Sequence, residues 1–216
     1  MKLEAIVLAA GAGARYGGGK LLAPWRGGVL LDGAMAAAFA APAHCVHVVW
    51  GADHAVAEAA LAFAARSGDR SRLNLVYAER HATGLSASLA AGMGALSPDS
   101  DGVFVFLGDM PRIPHELTLP MAGALVGGVM AVTVEFEGRR GHPVLFGREL
   151  FPMLGRLTGD KGAGALLRGL GDALVRIPSP DDGILFDVDR PEDLAQLNCQ
   201  HLVIEDSTAG NVTKAS

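Results

Sequence analysis

Cysteine is scarce in this chain: Cys45 and Cys199 are the only two, and neither has a second Cys or a His at metal-site spacing. That excludes a disulfide framework and predicts buried or incidental thiols rather than a catalytic or cysteine-ligated centre. An excess of cations is missing as well. Lys and Arg number 18 against 23 Asp and Glu, a net charge of −5, so no broad basic face is available to neutralise a nucleic-acid backbone. Long apolar runs are absent. The longest, such as Ala5 to Ala10 and Val103 to Leu107, fall well short of the roughly 18–20 residues that cross a bilayer. Glu4 interrupts the first apolar run, which therefore does not read as a secretory signal. The expected location is the cytoplasm, with neither a nucleic-acid nor a membrane partner.

What is present is an ordinary globular balance, with 50% hydrophobic and 19% charged residues in 216. A chain of this length buries about 70% of its unfolded surface around one core. One domain is expected over residues 1–204, followed by a polar tail over 205–216 that lacks apolar periodicity. Short apolar runs alternate with helix-like segments, the pattern of an α/β fold with a mostly parallel sheet. Strands are expected at Leu3 to Ala10, Cys45 to Trp50, Leu73 to Tyr77 and Gly102 to Leu107. Helices are expected near Leu31 to Ala41, Asp53 to Arg66, Leu85 to Leu96 and Pro114 to Val126. From Val129 the texture changes. Val129 to Phe136, a turn at Glu137 to Gly141 and His142 to Phe146 read as a hairpin or a ribbon reaching over a cleft. A helix near Gly147 to Leu154, strands near Ala173 to Ile177 and Ile184 to Val188, and a last helix opened by Pro191 complete the pattern.

The first strand runs into Leu8-Ala9-Ala10-Gly11-Ala12-Gly13-Ala14-Arg15-Tyr16-Gly17-Gly18-Gly19-Lys20. Glycines let backbone N–H groups turn toward an anion with no Cβ in the way, and Arg15 and Lys20 supply the charge a polyphosphate needs. Two commoner phosphate motifs fail here. A P-loop requires glycine and a hydroxyl residue where this chain has Ala14 and Leu21, and a dinucleotide fingerprint requires glycine at Tyr16. Further along, Val103 to Leu107 ends in Gly108-Asp109-Met110-Pro111, which puts a carboxylate at the carboxyl edge of a buried strand, where ligands of open α/β sheets collect. Hard oxygens there suit Mg²⁺. Asp187 and Asp189 fall on one face of an expected strand by the period-two rule, and either can reach the same ion.

The glycine-rich segment resembles the Leu-Ala-Ala-Gly-x-Gly-x-Arg-x-Gly-x-x-Lys signature of the MobA/MocA-like nucleotidyltransferases, a family that includes molybdenum-cofactor cytidylyl- and guanylyltransferases, with every fixed position filled. The resemblance implies a three-layer αβα fold of the nucleotide-diphospho-sugar-transferase (GT-A, Rossmann-like) type, with a mostly parallel mixed sheet. It implies that Ala9, Ala10, Gly11 and Gly13 wrap a triphosphate with Arg15 and Lys20, and that Arg15, Lys20 and Asp109 carry catalysis. By likeness to the family's Asp-x-Asp-x-Pro-Glu-Asp-Leu element, Asp189 becomes the second ligand of Mg²⁺ or Mn²⁺, and Asp187 falls to the acceptor side; Glu192 and Asp193 are read as first-turn partners of the helix dipole.

Gly84-Leu85-Ser86-Ala87-Ser88-Leu89 resembles the element that sets Gly84, Ser86 and Ser88 beside the base in the cytidylyl branch, which implies CTP rather than another nucleoside triphosphate. Gly141-His142-Pro143 and Thr158-Gly159-Asp160-Lys161 resemble acceptor-side elements and bring His142, Asp160 and Lys161 to that side. The chain departs from the family at Gly164, where an arginine is common, so a cation expected near the acceptor is either missing or supplied by Lys161 or Arg168. The implied reaction moves CMP from CTP to molybdopterin or the molybdenum cofactor, releasing pyrophosphate, for delivery to a recipient molybdoenzyme. Guanylyl transfer, a sugar-phosphate acceptor and a non-catalytic cofactor carrier or chaperone are the alternatives. Trp25 and Trp50 receive no role.

Overall fold

The computed structural model describes residues 1–159 and 162–198. Its centre is β1 (Leu3–Leu8), whose six residues are all buried, as befits a strand covered on both faces. In chain order there follow a small hairpin of β2 (Pro24–Trp25) and β3 (Gly28–Val29), α1 (Leu31–Ala40), β4 (Val46–Trp50), α2 (His54–Ser67), β5 (Leu73–Tyr77), α3 (Leu85–Gly94), β6 (Gly102–Leu107) and α4 (Thr118–Ala124). Then come β7 (Ala131–Phe136), β8 (Arg139–Gly147), α5 (Phe151–Leu154), α6 (Gly164–Gly169) and β9 (Leu174–Pro178), and residues 191–198 are helical. Among the described residues no helix is long and apolar enough to cross a membrane.

Seven strands form one sheet in the order β5-β4-β1-β6-β8-β7-β9. All neighbours are parallel except those of β8, which runs against both β6 and β7. Alternation along each strand sends side chains to two cores. Val7, Val48, Phe104, Phe106 and Leu145 pack under α1, α2 and α4, while Ile6, Val49, Val105 and Phe146 pack under α3, α5 and α6. The result is the three-layer αβα arrangement that the resemblance implied.

Three expectations change. The residues from 129 to 146 form the hairpin of the two expected readings, β7 against β8, but not a ribbon over a cleft: both strands lie inside the main sheet, with β8 pairing β6 from Gly102↔Gly147 to Val105↔Val144. Their turn is only Glu137-Gly138, whose φ values of 49° and 76° make a tight two-residue hairpin turn. The expected helix over Pro114 to Val126 is regular only from Thr118, after a 3₁₀ turn at His115–Leu117. Pro120 then falls in the first helical turn, where a missing N–H costs nothing. The expected strand at Ile184 to Val188 does not form. Asp182–Leu185 is a 3₁₀ turn, Ile184 is driven into the core beside Val132, Val134 and Leu145, and the extended stretch after it hangs from one bond, Val188 N–H to the Asp109 carbonyl at 3.0 Å. Burial of one isoleucine outcompetes ladder pairing for a segment that crosses over the sheet. The expected tail lies outside the described residues.

Ile184 anchors the segment that carries Asp187 and Asp189. Ile184→Ala is expected to lower unfolding stability by about 2–5 kcal/mol, read as a fall in the urea midpoint at unchanged slope. A loss below about 1 kcal/mol on that measurement would contradict the anchoring role.

Candidate functional site

Strands β1 and β6 are paired to their last residues, Leu8↔Leu107, so the glycine loop and Gly108-Asp109 emerge side by side at the carboxyl edge of the sheet. The loop closes on itself: the Gly13 carbonyl accepts from Tyr16 N–H at 2.9 Å and Gly18 N–H at 3.1 Å. Gly13 holds φ 61°, and a Cβ there would sit 3.1 Å from the Lys20 Cβ, so a side chain would push Lys20 out of place. Within the loop two short 3₁₀ turns, Ala14–Tyr16 and Lys20–Leu22, carry Arg15 and Lys20.

Four charges meet at this edge. Lys20 Nζ donates to Asp109 Oδ2 at 2.7 Å and to Asp189 Oδ1 at 3.5 Å, and Arg15 Nη1 donates to Asp189 Oδ2 at 2.8 Å. The Lys20 side chain is only 12% exposed, and Arg15 is 77% exposed, so the lysine is the inner cation and the arginine the outer one. Burial pushes the Asp189 carboxyl up, but the Arg15 hydrogen bond and the Lys20 charge outweigh it and leave the group below the ordinary carboxylate range. Asp187 shifts the other way: burial, with the charges of Asp109 and Asp189, raises it. It takes no part in the ion pairs that Asp109 and Asp189 form.

What brings Asp189 to Arg15, 174 residues away in the chain, is a separate small core. Trp25 and Leu30, from the hairpin and its exit, pack with Val188, Leu194 and Leu197, and Tyr16 and Phe186 lean on them. Each such buried side chain contributes about 1.5–3 kcal/mol, enough to hold an unpaired segment in place. Trp25, which had no role on sequence grounds, belongs to this small core and lines neither cavity of the site. Asp193 was read as a helix-dipole partner and does more: its Oδ2 accepts the backbone N–H groups of Asp189 at 2.9 Å and Arg190 at 2.8 Å. This is the reciprocal half of a capping box, with Arg190 at the N-cap, Pro191 as the first helical residue and Asp193 at the third.

Two adjoining cavities open here, sharing Leu8, Leu85 and Leu107. The larger, ≈ 670 Å³, is lined by Ala9 to Gly13, Lys20, Gly84, Ser88 and Asp109. His81 and Thr83 also line it; sequence reasoning missed them, and their only signal is their place just before Gly84. Gly84 has φ 116° and ψ 172°, a region closed to side chains, and it starts α3 with no side-chain cap. Ser86 is buried and does not line this cavity. Its hydroxyl donates to the Gly159 carbonyl at 2.6 Å and its N–H to the same oxygen at 3.3 Å, which ties the start of α3 to the 157–159 loop.

The smaller cavity, ≈ 260 Å³, has apolar walls from Leu89, Val105, Val144 and Phe146, with Thr133, Arg140 and His142 as its polar groups. His142 and Pro143 sit where β8 slips out of register with β7, between the pairs Thr133↔Val144 and Val134↔Gly141. Burial pushes the His142 imidazole down against the opposing pull of the Val105 carbonyl and Asp109. Gly164 lines this cavity, and Arg168 Nη1 lies 3.7 Å from the point a Gly164 side chain would start. Asp160 and Lys161 lie outside the described residues.

Chemically, the edge offers two hard carboxylates held around one ammonium, which suits a divalent cation with oxygen ligands, beside a glycine loop and two cations that suit phosphate.

Residues 5–175 match the sequence profile of the MobA-like NTP transferase domain. The purine catabolism protein PucB of Bacillus subtilis is 30% identical over 194 residues, 88% of this chain and 93% of that protein. The crystal structure of the Rv0371c homologue from Mycobacterium sp. strain JC1 is 26% identical, with a TM-score of 0.79 over 94% of this chain and 100% of that one. The manganese complex of Rv0371c from Mycobacterium tuberculosis H37Rv, 23% identical with a TM-score of 0.68 over 91% and 98%, shares the fold.

If Asp193 positions Asp189, Asp193→Ala weakens Mn²⁺ binding in the presence of CTP roughly 10–100-fold, read by the electron paramagnetic signal of free Mn²⁺. Asp193→Asn, which keeps one acceptor oxygen, restores part of the affinity. Equal affinity in the alanine variant and the parent would remove Asp193 from the site.

Proposed function

The chain belongs to the MobA-like NTP transferase domain family, and on that premise we propose that this nucleotidyltransferase moves CMP from CTP to the phosphate of molybdopterin or the molybdenum cofactor. The observation that carries the reading is the larger cavity, where the glycine loop, Lys20, Asp109, Gly84 and Ser88 face one space. A triphosphate along Ala9 to Gly13 sets its base toward Gly84 and Ser88, and the cations Arg15 and Lys20 then neutralise its phosphates.

Asp109 and Asp189 hold Mg²⁺ or Mn²⁺ in this reading, and the Rv0371c manganese complex supports a divalent ion of that size on the shared fold. Bound there, the ion supplies charge neutralisation of the triphosphate oxygens. The donor set fits, since both carboxylates already surround a cation, the Lys20 ammonium. Lys20 changes partners on substrate binding, from aspartates to phosphate, without leaving the site. An oxygen of the acceptor phosphate attacks the α-phosphorus of CTP; that P–O bond forms as the bond to the β-phosphate oxygen breaks, and pyrophosphate leaves. The attacking oxygen is already ionised, so no protein base or covalent nucleophile is needed. The chain's own work is alignment and charge stabilisation.

The smaller cavity supports a flat heterocyclic acceptor, because Leu89, Val105, Val144 and Phe146 give it apolar walls and Arg140 and His142 give it polar ones. Arg140 on that wall, with Arg168 over Gly164, stands in for the arginine that the family commonly has at 164.

The test is pyrophosphate release with each of the four nucleoside triphosphates, with and without molybdopterin and Mg²⁺. Release is expected with CTP only when both are present. Preference for GTP or for a sugar phosphate transfers the reading to those alternatives, and binding of molybdopterin without release under any pairing makes the chain a carrier. Asp109→Ala is expected to cut turnover at least about 100-fold with an unchanged circular dichroism spectrum; near-parental turnover in that variant would overturn its metal role.

A further inference from the structure

The edge of the sheet opposite the phosphate loop carries a second cluster of ligand-type side chains. Glu4 and His47, on the neighbouring strands β1 and β4, are each 2% exposed. Glu4 Oε2 and His47 Nε2 lie 2.6 Å apart. Cys45 immediately precedes β4 and is half-buried. It faces the same side as His47 by strand alternation, and its carbonyl accepts the Ala5 N–H, which puts it alongside Glu4. One ligand atom from each of the three lies within 4.8 Å of the others. The sequence reading set Cys45 aside because it sought a second Cys or a spaced His; the third partner came from another strand, 41 residues earlier.

We propose that Glu4, Cys45 and His47 bind one divalent ion of the zinc class, a structural clamp at the amino-terminal edge of the sheet and separate from the phosphate site. Bonds of about 2.0–2.1 Å to nitrogen and oxygen and about 2.3 Å to sulfur put tetrahedral ligand atoms roughly 3.3–3.7 Å apart. The observed spread brackets that spacing, so a sub-ångström opening of the Glu4–His47 contact admits the ion. The outer atoms of both side chains already have hydrogen-bond partners that can hold them as metal ligands. Glu4 Oε1 accepts Ser97 N–H at 2.9 Å, leaving Oε2 for the ion, and Asn74 Nδ2 lies 3.0 Å from His47 Nδ1; on metal binding the Asn74 amide turns over so that its Oδ1 accepts Nδ1–H and Nε2 is left to the ion. Charge favours it as well. A carboxylate, a thiolate and a neutral imidazole cancel a divalent ion, which suits a buried position, and the thiolate selects zinc over magnesium or calcium. On binding, the Cys45 S–H proton leaves to solvent and a sulfur–metal bond forms, while solvent at the half-exposed side supplies the fourth ligand.

The test uses the full chain, stripped of metal, loaded with Co²⁺ or Zn²⁺ and freed of excess ion by gel filtration. One equivalent retained, a thiolate-to-cobalt charge-transfer band and a higher melting temperature with Zn²⁺ are expected. Cys45→Ser, mild at a half-exposed position, is expected to lose the band and at least about tenfold in zinc affinity. Asp109→Asn and Cys199→Ser keep both, which separates this site from the proposed catalytic ion and from the other thiol. Absence of the band in the parent, zinc affinity unchanged by Cys45→Ser, or a band that follows Cys199 instead would each overturn the proposal and leave Glu4–His47 as a hydrogen-bonded pin between strands.

Discussion

Lys20, held between Asp109 and Asp189, is the contact on which the carboxyl edge of this protein depends. An ammonium 12% exposed is costly without an anion, and two carboxylates brought this close repel each other unless a cation stands between them. The glycine loop, the end of β6 and the Val188 segment therefore hold their places as a set of opposite charges rather than as three separate loops. In the proposed reaction the same arrangement exchanges partners, the cations to a triphosphate and the aspartates to a divalent ion.

Building that contact takes two different scaffolds. Asp109 and the loop come from adjacent buried parallel strands paired to their ends, which gives them rigid placement. Asp189 comes from a stretch with a single sheet-edge hydrogen bond, and its position is set by Ile184 in the main core, by Val188 in the small core under Trp25, and by the Asp193 carboxylate on its backbone. The division is physically sensible. One half of the site is fixed by ladder hydrogen bonding, while the other rests on side-chain packing and a cap.

Much of this was legible in the sequence, for reasons that are local. β1, β4, β5 and β6 announce themselves as short β-branched runs, α2 by Asp53 as its cap, whose side chain accepts Ala55 N–H at 2.9 Å, and the phosphate loop by glycines followed by two cations. The misses are equally instructive. Ile184 to Val188 has strand composition, yet Ile184 is drawn into the core instead of a ladder, and Val129 to Phe146 is the hairpin but not the excursion, because only strand order shows β8 wedged between β6 and β7. Ser86 read as a base contact, yet it is buried and fastened to Gly159, a partner 73 residues on.

By itself the sequence determined the alternation of strands and helices, the conformations that only glycine allows at Gly13 and Gly84, and the kinds of charge at the carboxyl edge, since each depends on residues within a few positions of one another. The tertiary structure alone decided which charges meet. Arg15 finds Asp189 across 174 residues, Trp25 shares a small core with Val188 next to Asp189, and Glu4 and His47 join across 43 residues with Cys45 beside them. Those meetings follow from strand order and from the burial of apolar side chains far apart in the chain, and no local pattern encodes either.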